Sequence, residues 1–389
     1  MPAREMENLL AALGFEIHRR DGESLGLEVP SHRPDISLEE DVIEEIARLV
    51  GYERIPAELP RLAPATEAPS DEERLASIAR EALADAGLAQ AINFSFVSEG
   101  ANAIVGLADD RAIRLVNPIH PDQSVMRRSM VPSLLANLAH NLNHGVDDVR
   151  LFEVGHTYEW ADDDAARTGT DLRDPRPRTR EQLCAAAILC GGGKPNWREP
   201  AKAYDFFDIK GIAEMLLSRL GVARASVEAV TDAPLYHPGR CAAFLVKGER
   251  VALFGELHPS VQKELDLKKR PCLLEVALTP ALPESGKGQR IAEMPRFPSS
   301  VRDLALVVGR GVAAQDIERT IRAAGRELLA GVTLFDVYEG DRIEAGKRSL
   351  AYSMTFRAPD RTLTDAEVTE RVDAIVKAVT EKFGAALRA

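Results

Sequence analysis

The chain has 389 residues, 45% hydrophobic and 28% charged, with a formal net charge of −12; that length calls for more than one core, and the acidic balance argues against a protein that coats nucleic acid along its whole length. No run approaches the roughly 18 apolar residues of a membrane span, and the start, MPAREMENLL, has neither a basic n-region nor an apolar h-region, so a cytoplasmic location is expected. The four cysteines, Cys184, Cys190, Cys241 and Cys272, form no CxxC pair, which leaves a zinc cluster or redox motif unsupported and reads as reduced core thiols.

Two proline-rich stretches, residues 55–70 and 279–300, read as linkers because proline fixes φ and removes a donor. They divide the chain into a small N-terminal piece (1–59), a middle domain (68–279) and a C-terminal domain (294–389). Residues 161–180 are polar and read as a surface loop.

The N-terminal piece starts with a helix carrying Met6, Leu9, Leu10 and Leu13, closed by Gly14 at the C′ position. Strands are expected at 15–18 and 25–29. Ser37 with Glu40 three residues later is a capping box, which predicts a helix from there to Gly51. At about 100° per residue, Val42, Ile43, Ile46, Ala47, Leu49 and Val50 share one side of it, and Asp41, Glu44 and Glu45 share the other with Arg48. Asp35 lies just before it. Carboxylates on one face repel unless something screens them. A magnesium ion, which favours few carboxylates plus water, is one reading; on spacing alone a solvated acidic face is the better one.

In the middle domain, helical patterns cover 72–86, 131–143 and 207–220. Strand patterns cover 91–96, 150–158, 183–189, 242–246 and 250–257. The mixture predicts α+β with a largely antiparallel sheet. The C-terminal domain reads strand 303–308, helix 314–329, strands 332–338 and 349–356, a helix capped by Thr364 with Glu367 that runs to Lys382, then a short strand after Gly384. That β-α-β-β-α-β order is the ferredoxin-like split βαβ arrangement. Residues 294–389 hold 15 Lys+Arg against 14 Asp+Glu, so RNA contact is better placed here than on the acidic remainder.

No catalytic constellation emerges. His140 and His144 sit i, i+4 on a helix, but Asn141 stands where H-E-x-x-H needs its glutamate and no third ligand is evident; ordinary polar or interface histidines are the better reading. GGGK at 191–194 lacks the phosphate-loop spacing and is followed by Pro195. No nucleophile elbow appears.

Several long segments, in order, resemble one family, the bacterial-type phenylalanyl-tRNA synthetase β subunits. LGFEI and VPSHRPDISLEEDVIEEIARLVGYERIP resemble the domain before the synthetase-like core. NPIHPDQSVMRRSMVPSLLANLAHNLNHG, RLFEVGHTY, DFFDIKGIAEMLL, YHPGR and FGELHP resemble that core. MPRFPSSVRDLALVV, LFDVYEGDRIEAGKRSLAYSMTFRAPDRTLTDAEV and FGAALR resemble the ferredoxin-fold anticodon-binding domain. The resemblance implies a class II synthetase-like core without catalysis of its own, in an (αβ)2 heterotetramer whose α subunit binds ATP and phenylalanine. Arg150 and Glu153 echo a class II motif, the glycine-rich, arginine-bearing ATP motif is not visible, and Arg127, Arg128 and the 131–144 helix read as interface and support elements. The resemblance further implies a Mg2+ site, shared with the α subunit, on Asp35, Asp41, Glu44 and Glu45. The family's oligonucleotide-binding-fold and editing domains have no counterpart in these 389 residues, so editing is not carried over.

The anticodon region of the phenylalanine tRNA would lie on the face of the C-terminal sheet that its two helices leave free. Candidates are Arg296 and Phe297 at the entrance, Arg302 on the first strand, and Arg348, Tyr352 and Arg357 around the third; the competing reading makes Phe297 and Tyr352 core residues. The runner-up function is a stand-alone RNA-binding or regulatory module derived from the β subunit, and a weak third is a metal-dependent hydrolase using His140 and His144.

Overall fold

The helix that follows the SHRPD stretch starts one residue later than its capping signal predicts. Leu38 takes the N-cap, and Asp41, three residues on, accepts the backbone N–H groups of Ser37 and Leu38, both at 2.8 Å. Asp41, and not Glu40, is therefore the carboxylate that reaches back over the open end. This comes from a computed structural model that describes residues 1–21, 24–58, 68–107, 111–161, 179–193, 197–198, 202–222, 225–279, 294–341 and 343–388. Most of the polar 161–180 segment, Lys194 of the GGGK run and much of both proline-rich stretches lie outside the described residues.

Two compact units are resolved, Met1–Ser77 and Ile78–Ala389. The first holds α1 (Ala3–Ala12), the hairpin β1 (Glu16–Asp21) and β2 (Ser24–Glu28), and α2 (Glu39–Val50). Gly14, at φ +86°, ends the first helix as expected. Leu10, Phe15 and Ile36 form the small core, with Leu13, Leu27, Val42 and Ile46 packed against it.

After α3 (Asp71–Asp85), the second unit builds a seven-stranded sheet. Its strands are β3 (Ala89–Gln90), β6 (Val149–Trp160), β7 (Thr179–Cys190), β8 (Ser226–Ala229), β9 (Tyr236–Val246), β10 (Glu249–Leu257) and β11 (Cys272–Ala277). Their spatial order is β3-β6-β7-β11-β10-β9-β8, antiparallel except for the parallel β3–β6 pair. The run AAAILC, residues 185–190 on β7, is buried at every position, the mark of a strand covered on both faces. The helix α5 (Val131–Asn143) lays Val131, Leu134 and Leu138 against Ala186, Ile188 and Cys190. The helix α6 (Phe206–Arg219) packs on β10 and β11.

One expected strand of this unit does not form. Ala91 still donates to Phe152 O of β6 at 2.7 Å, but residues 92–95 leave the ladder before the two-residue β4 (Phe96–Val97), which pairs with β5 (Val125–Met126). The cause is a long-range contact: the backbone N–H and side-chain amide of Asn93 go to the Glu153 carboxylate, at 3.3 and 2.7 Å, instead of to a neighbouring strand. A short helix α4 (Glu99–Ile104) follows, and α7 (Pro259–Glu264) joins β10 to β11.

The C-terminal domain has the expected ferredoxin-like order. It runs β12 (Ser300–Gly309), α8 (Ala314–Gly325), β13 (Leu329–Tyr338), β14 (Lys347–Phe356), α9 (Asp365–Phe383) and β15 (Ala386–Leu387), with sheet order β13-β14-β12-β15. The Thr364 hydroxyl accepts from Glu367 N–H while the Glu367 carboxylate takes Thr364 N–H at 2.8 Å, the predicted capping box. The predicted helix 314–329 is shorter than expected, because Arg326–Leu328 tightens into a 3-10 turn. Among the described residues no helix is long and apolar enough to cross a membrane.

Candidate functional site

Strand register fixes which side chains of the C-terminal sheet meet the helices. On β12 and β14, Leu304 lies opposite Tyr352, Leu306 opposite Leu350 and Arg302 opposite Met354, and directly opposed residues share a face. Leu304, Leu306, Leu350, Tyr352 and Met354 are core residues with Ile317, Ile321, Val368 and Ile375 of α8 and α9. Tyr352 is therefore on the covered face and corrects the open-face expectation: it is fully buried, its hydroxyl donates to Ala314 O at 3.0 Å, and burial pushes that hydroxyl up to about 12. Arg302 and Arg348 have the same parity. Arg302 donates to Asp365 at the start of α9 (2.8 Å), and Arg348 to Val312 O (2.8 Å). Arg357 follows β14, half-buried, with its N–H on Leu328 O. Arg296 is exposed and Phe297 half-buried ahead of β12.

The other face has a different composition. Asp303 pairs with Ser353, Ala305 with Ala351 and Val307 with Ser349; β13 adds Asp336 opposite Ala351 and Tyr338 opposite Ser349. Arg388, just after β15, donates its N–H to Ala305 O at 3.0 Å, and its guanidinium carbon lies 4.8 Å from the Tyr338 ring centroid. The Tyr338–Arg388 pair thus reaches across β14 and β12 over the small side chains of Ala305, Ala351 and Ser349. A phenol ring with a guanidinium against one face still offers the outer side of either group to a stacked base, and the Asp303 and Asp336 carboxylates are acceptors for base amino groups. Neither Tyr338 nor Arg388 was a sequence candidate. The alternation in LFDVYEG was a usable signal for Tyr338, since it sets Tyr338 two residues from Asp336.

The acidic helix has its own geometry. Arg33 Nε and Nη2 donate to Asp35 at 3.0 and 2.7 Å, and the same Nη2 reaches Glu45 Oε1 at 2.9 Å. Arg48 Nη2 donates to Glu45 Oε2 at 2.6 Å. These guanidiniums, Arg33 first and Arg48 second, hold the Glu45 carboxyl down at about 2; Arg33 lowers that of Asp35, and the Ser37 and Leu38 amides lower that of Asp41. Glu45 is buried and Glu44 exposed. No three of the four expected ligands bring carboxylate oxygens within 4.8 Å of one another; among the described residues that geometry occurs at Glu16, His18 and Glu28 on the exposed hairpin. Oxygen donors suit magnesium in kind, but as arranged within this chain the four residues do not fit a self-contained magnesium site.

In the seven-stranded sheet, the residues with a class II echo are committed to structure. Arg127 and Glu153 form a buried ion pair at 2.6 Å, and Arg127 Nε also donates to His156 O. Gly155 leaves room for it: a Cβ there would lie 2.6 Å from Arg127 Nη2. Arg128 donates to Leu107 O at 2.9 Å and to Glu159 at 3.0 Å, and Arg150 lies 3.4 Å from Asp148. His140 and His144 lie ring against ring, centroids 4.2 Å apart, and no third ligand joins them among the described residues. All four cysteines are free thiols, and burial pushes the pKa of each up.

Three family models tile the chain. The phenylalanyl tRNA synthetase beta chain CLM domain matches residues 55–278, the ferredoxin-fold anticodon binding domain 295–388, and the tRNA synthetase B5 domain 1–52. Together they define a subunit of an aminoacyl-tRNA synthetase. The match to the first covers more than half of the sequence, and the chain belongs to the phenylalanyl-tRNA synthetase β-chain family. Among curated relatives, the phenylalanine–tRNA ligase beta subunit of Moorella thermoacetica is 38% identical over 98% of this chain and 46% of that protein. That of Geobacillus kaustophilus is 39% identical over 100% and 47%. The chain spans about half the length of the curated relatives it matches. A solved pyrrolysyl-tRNA synthetase of Desulfitobacterium hafniense is a distant neighbour, 12% identical with a TM-score of 0.42 over 63% of this chain and 76% of that one.

Proposed function

We propose that this chain works in the cytoplasm as the β-subunit part of a phenylalanine–tRNA ligase, docked on an α subunit that binds ATP and phenylalanine in an (αβ)2 assembly, and that it contributes tRNA binding and support without catalysis of its own. The observation that carries the reading is the free face of the C-terminal sheet, where Tyr338 and Arg388 make a stacking platform beside two carboxylate acceptors. The anticodon region of the phenylalanine tRNA, single-stranded and rich in exposed bases, is the ligand that such a face suits. Arg127 and Glu153, held by each other inside the core, support the non-catalytic role.

Assembly on the α subunit is supported by exposed apolar side chains on adjoining elements: Ile92, Phe94, Val116 and Ile119. Asn93, pinned to Glu153, holds the 91–95 segment so that Ile92 and Phe94 stand outward. Patches of this kind mark protein contacts. Magnesium at Asp35, Asp41, Glu44 and Glu45 belongs to the assembled enzyme in this reading, with donors supplied by the α subunit.

The test is co-expression with an α subunit, followed by binding of the phenylalanine tRNA. Stable co-purification, and a tRNA affinity that falls when residues 294–389 are deleted from the complex, are the expected results. A chain that ignores the α subunit yet binds tRNA would point to the stand-alone module. A complex whose tRNA affinity and salt dependence survive the deletion would sink the RNA role of the domain. Phenylalanine-dependent pyrophosphate exchange by the purified chain alone would falsify the non-catalytic assignment.

A further inference from the structure

The acidic helix already holds a cation of its own. Arg33 places one nitrogen, Nη2, against both Asp35 (2.7 Å) and Glu45 (2.9 Å), while Nε completes a two-pronged grip on Asp35. Arg48 closes the remaining Glu45 oxygen. The planar guanidinium fork matches carboxylate geometry in a way that a hydrated ion does not. Asp41 Oδ2 is taken by two backbone amides. Of the four carboxylates expected to bind magnesium, Glu44 alone has no partner described above.

We propose that Arg33 is the resident counter-cation of this cluster and that it excludes a divalent ion from the chain when no partner is bound. The like-charge repulsion among Asp35, Asp41 and Glu45 is relieved without metal, because two arginines face the two carboxylates that need them. Magnesium sheds its water reluctantly and prefers near-octahedral oxygen geometry. Glu45, with only 10% of its side chain exposed and both oxygens engaged, cannot be offered to such an ion while Arg33 is in place. A guanidinium at contact distance also repels a second cation. Metal entry therefore requires Arg33 to swing off Glu45, and a partner subunit that draws Arg33 away, or brings donors of its own, switches the site on. This inference rests on the reading of these carboxylates as the family's metal ligands, and it adds what keeps that site closed.

The experiment uses the full chain with Mn2+ as the probe. Free Mn2+ is counted by electron paramagnetic resonance, and amide exchange over residues 31–50 is followed with and without MgCl2 at constant ionic strength. Wild type, carrying His18→Ala to silence the Glu16–His18–Glu28 cluster, is expected to show no saturable binding at millimolar metal, no magnesium effect on the Ser37 and Leu38 amides, and no change on Glu44→Gln. Arg33→Met in the same background, which keeps an apolar stem and removes the fork, is expected to gain one saturable Mn2+ that its parent lacks, together with magnesium-dependent protection of those two amides. If Arg33→Met does not fold, Arg33→Lys, with a point charge that cannot grip both carboxylates, is expected to gain weaker binding in the same place. The proposal is overturned if wild type binds one Mn2+ that Glu44→Gln removes, or if a folded Arg33 variant gains none. The αβ complex, titrated separately, tests the shared-magnesium reading: a wild-type complex that binds no Mn2+ defeats that reading whatever the isolated chain does.

Discussion

The seven-stranded and the four-stranded sheets are both largely antiparallel, yet they use their faces differently. The larger sheet carries α5 and α6, and its Glu153 is buried against Arg127 from the segment after β5. The smaller sheet is packed by α8 and α9 on one side, and its other side carries Val301, Val307, Thr355, alanines, serines, two aspartates and the Tyr338–Arg388 pair. Small side chains on the second sheet let Tyr338 and Arg388 meet above them, 4.8 Å apart, and leave that pair at the surface. The proposed division of labour, support from the larger sheet and recognition by the smaller one, turns on this difference.

The largest expected effect breaks the scaffold side of that contrast. Replacing Arg127 by Leu leaves the Glu153 carboxylate buried without its partner, which costs roughly 3–5 kcal/mol. Urea unfolding of the full chain checks it. A loss below about 1 kcal/mol would mean that the pair is surface-like after all. Asn93 shares the same carboxylate, so the 91–95 segment should lose amide protection in the same variant.

On the recognition side, Tyr338→Ala in the assembled enzyme should weaken tRNA binding by about tenfold to a hundredfold, the range for one stacked base. Arg388→Ala should in addition reduce the slope of log affinity against log salt by about one if its guanidinium meets a phosphate; an unchanged slope would confine it to stacking. The domain carries one more positive than negative charge, so the parent slope should itself be shallow. Tyr352→Phe is the matched control within one sheet. It removes the hydrogen bond to Ala314 O, costs about 1 kcal/mol of stability, and should leave tRNA affinity untouched. Equal losses of affinity in the Tyr338 and Tyr352 variants would erase the distinction between the two faces.

These two tyrosines also show what the sequence could and could not say. Local signals were legible: Val131–Asn143, with its proline in the first turn, forms the helix that its apolar spacing predicts, and Thr364 with Glu367 caps the last helix. The ferredoxin-like order was legible for the same reason, since each element carries its own period. The parity of a strand relative to its helices was not. A period of two says that Tyr352 and Ala351 face opposite ways, but only the pairing of Leu304 with Tyr352 says which of them meets the core. Arg33 was invisible for a related reason. Its link to Glu45 spans 12 residues and a change of direction, beyond any i, i+4 rule. The strand expected at 91–96 breaks at Asn93, whose donors are taken by Glu153, 60 residues away.

The smallest expected effect compares a buried pair with an exposed one. Arg361 and Glu367 meet at 2.7 Å with side chains 52% and 32% exposed. Glu367 is held down at about 2 from its usual 4.5, first by the Thr364 N–H and then by Arg361 and the Thr364 hydroxyl. A carboxylate whose folded pKa is depressed binds protons more readily when unfolded, so unfolding gains protons as the pH falls. The stability it supplies is fully present above about pH 4.5 and is lost as the pH drops through about 2. Glu367→Gln should therefore be less stable than the parent at pH 7 and converge on it near pH 2. Added salt should shrink the Arg361 part of the gap and leave the cap part. The Arg127–Glu153 pair, with 4% of each side chain exposed, should show no comparable response to salt. Thermal unfolding of parent, Glu367→Gln and Arg127→Leu over a pH and salt grid separates the two. A gap for Glu367→Gln that persists unchanged at pH 2 would show that the substitution acts through packing and not through its charge.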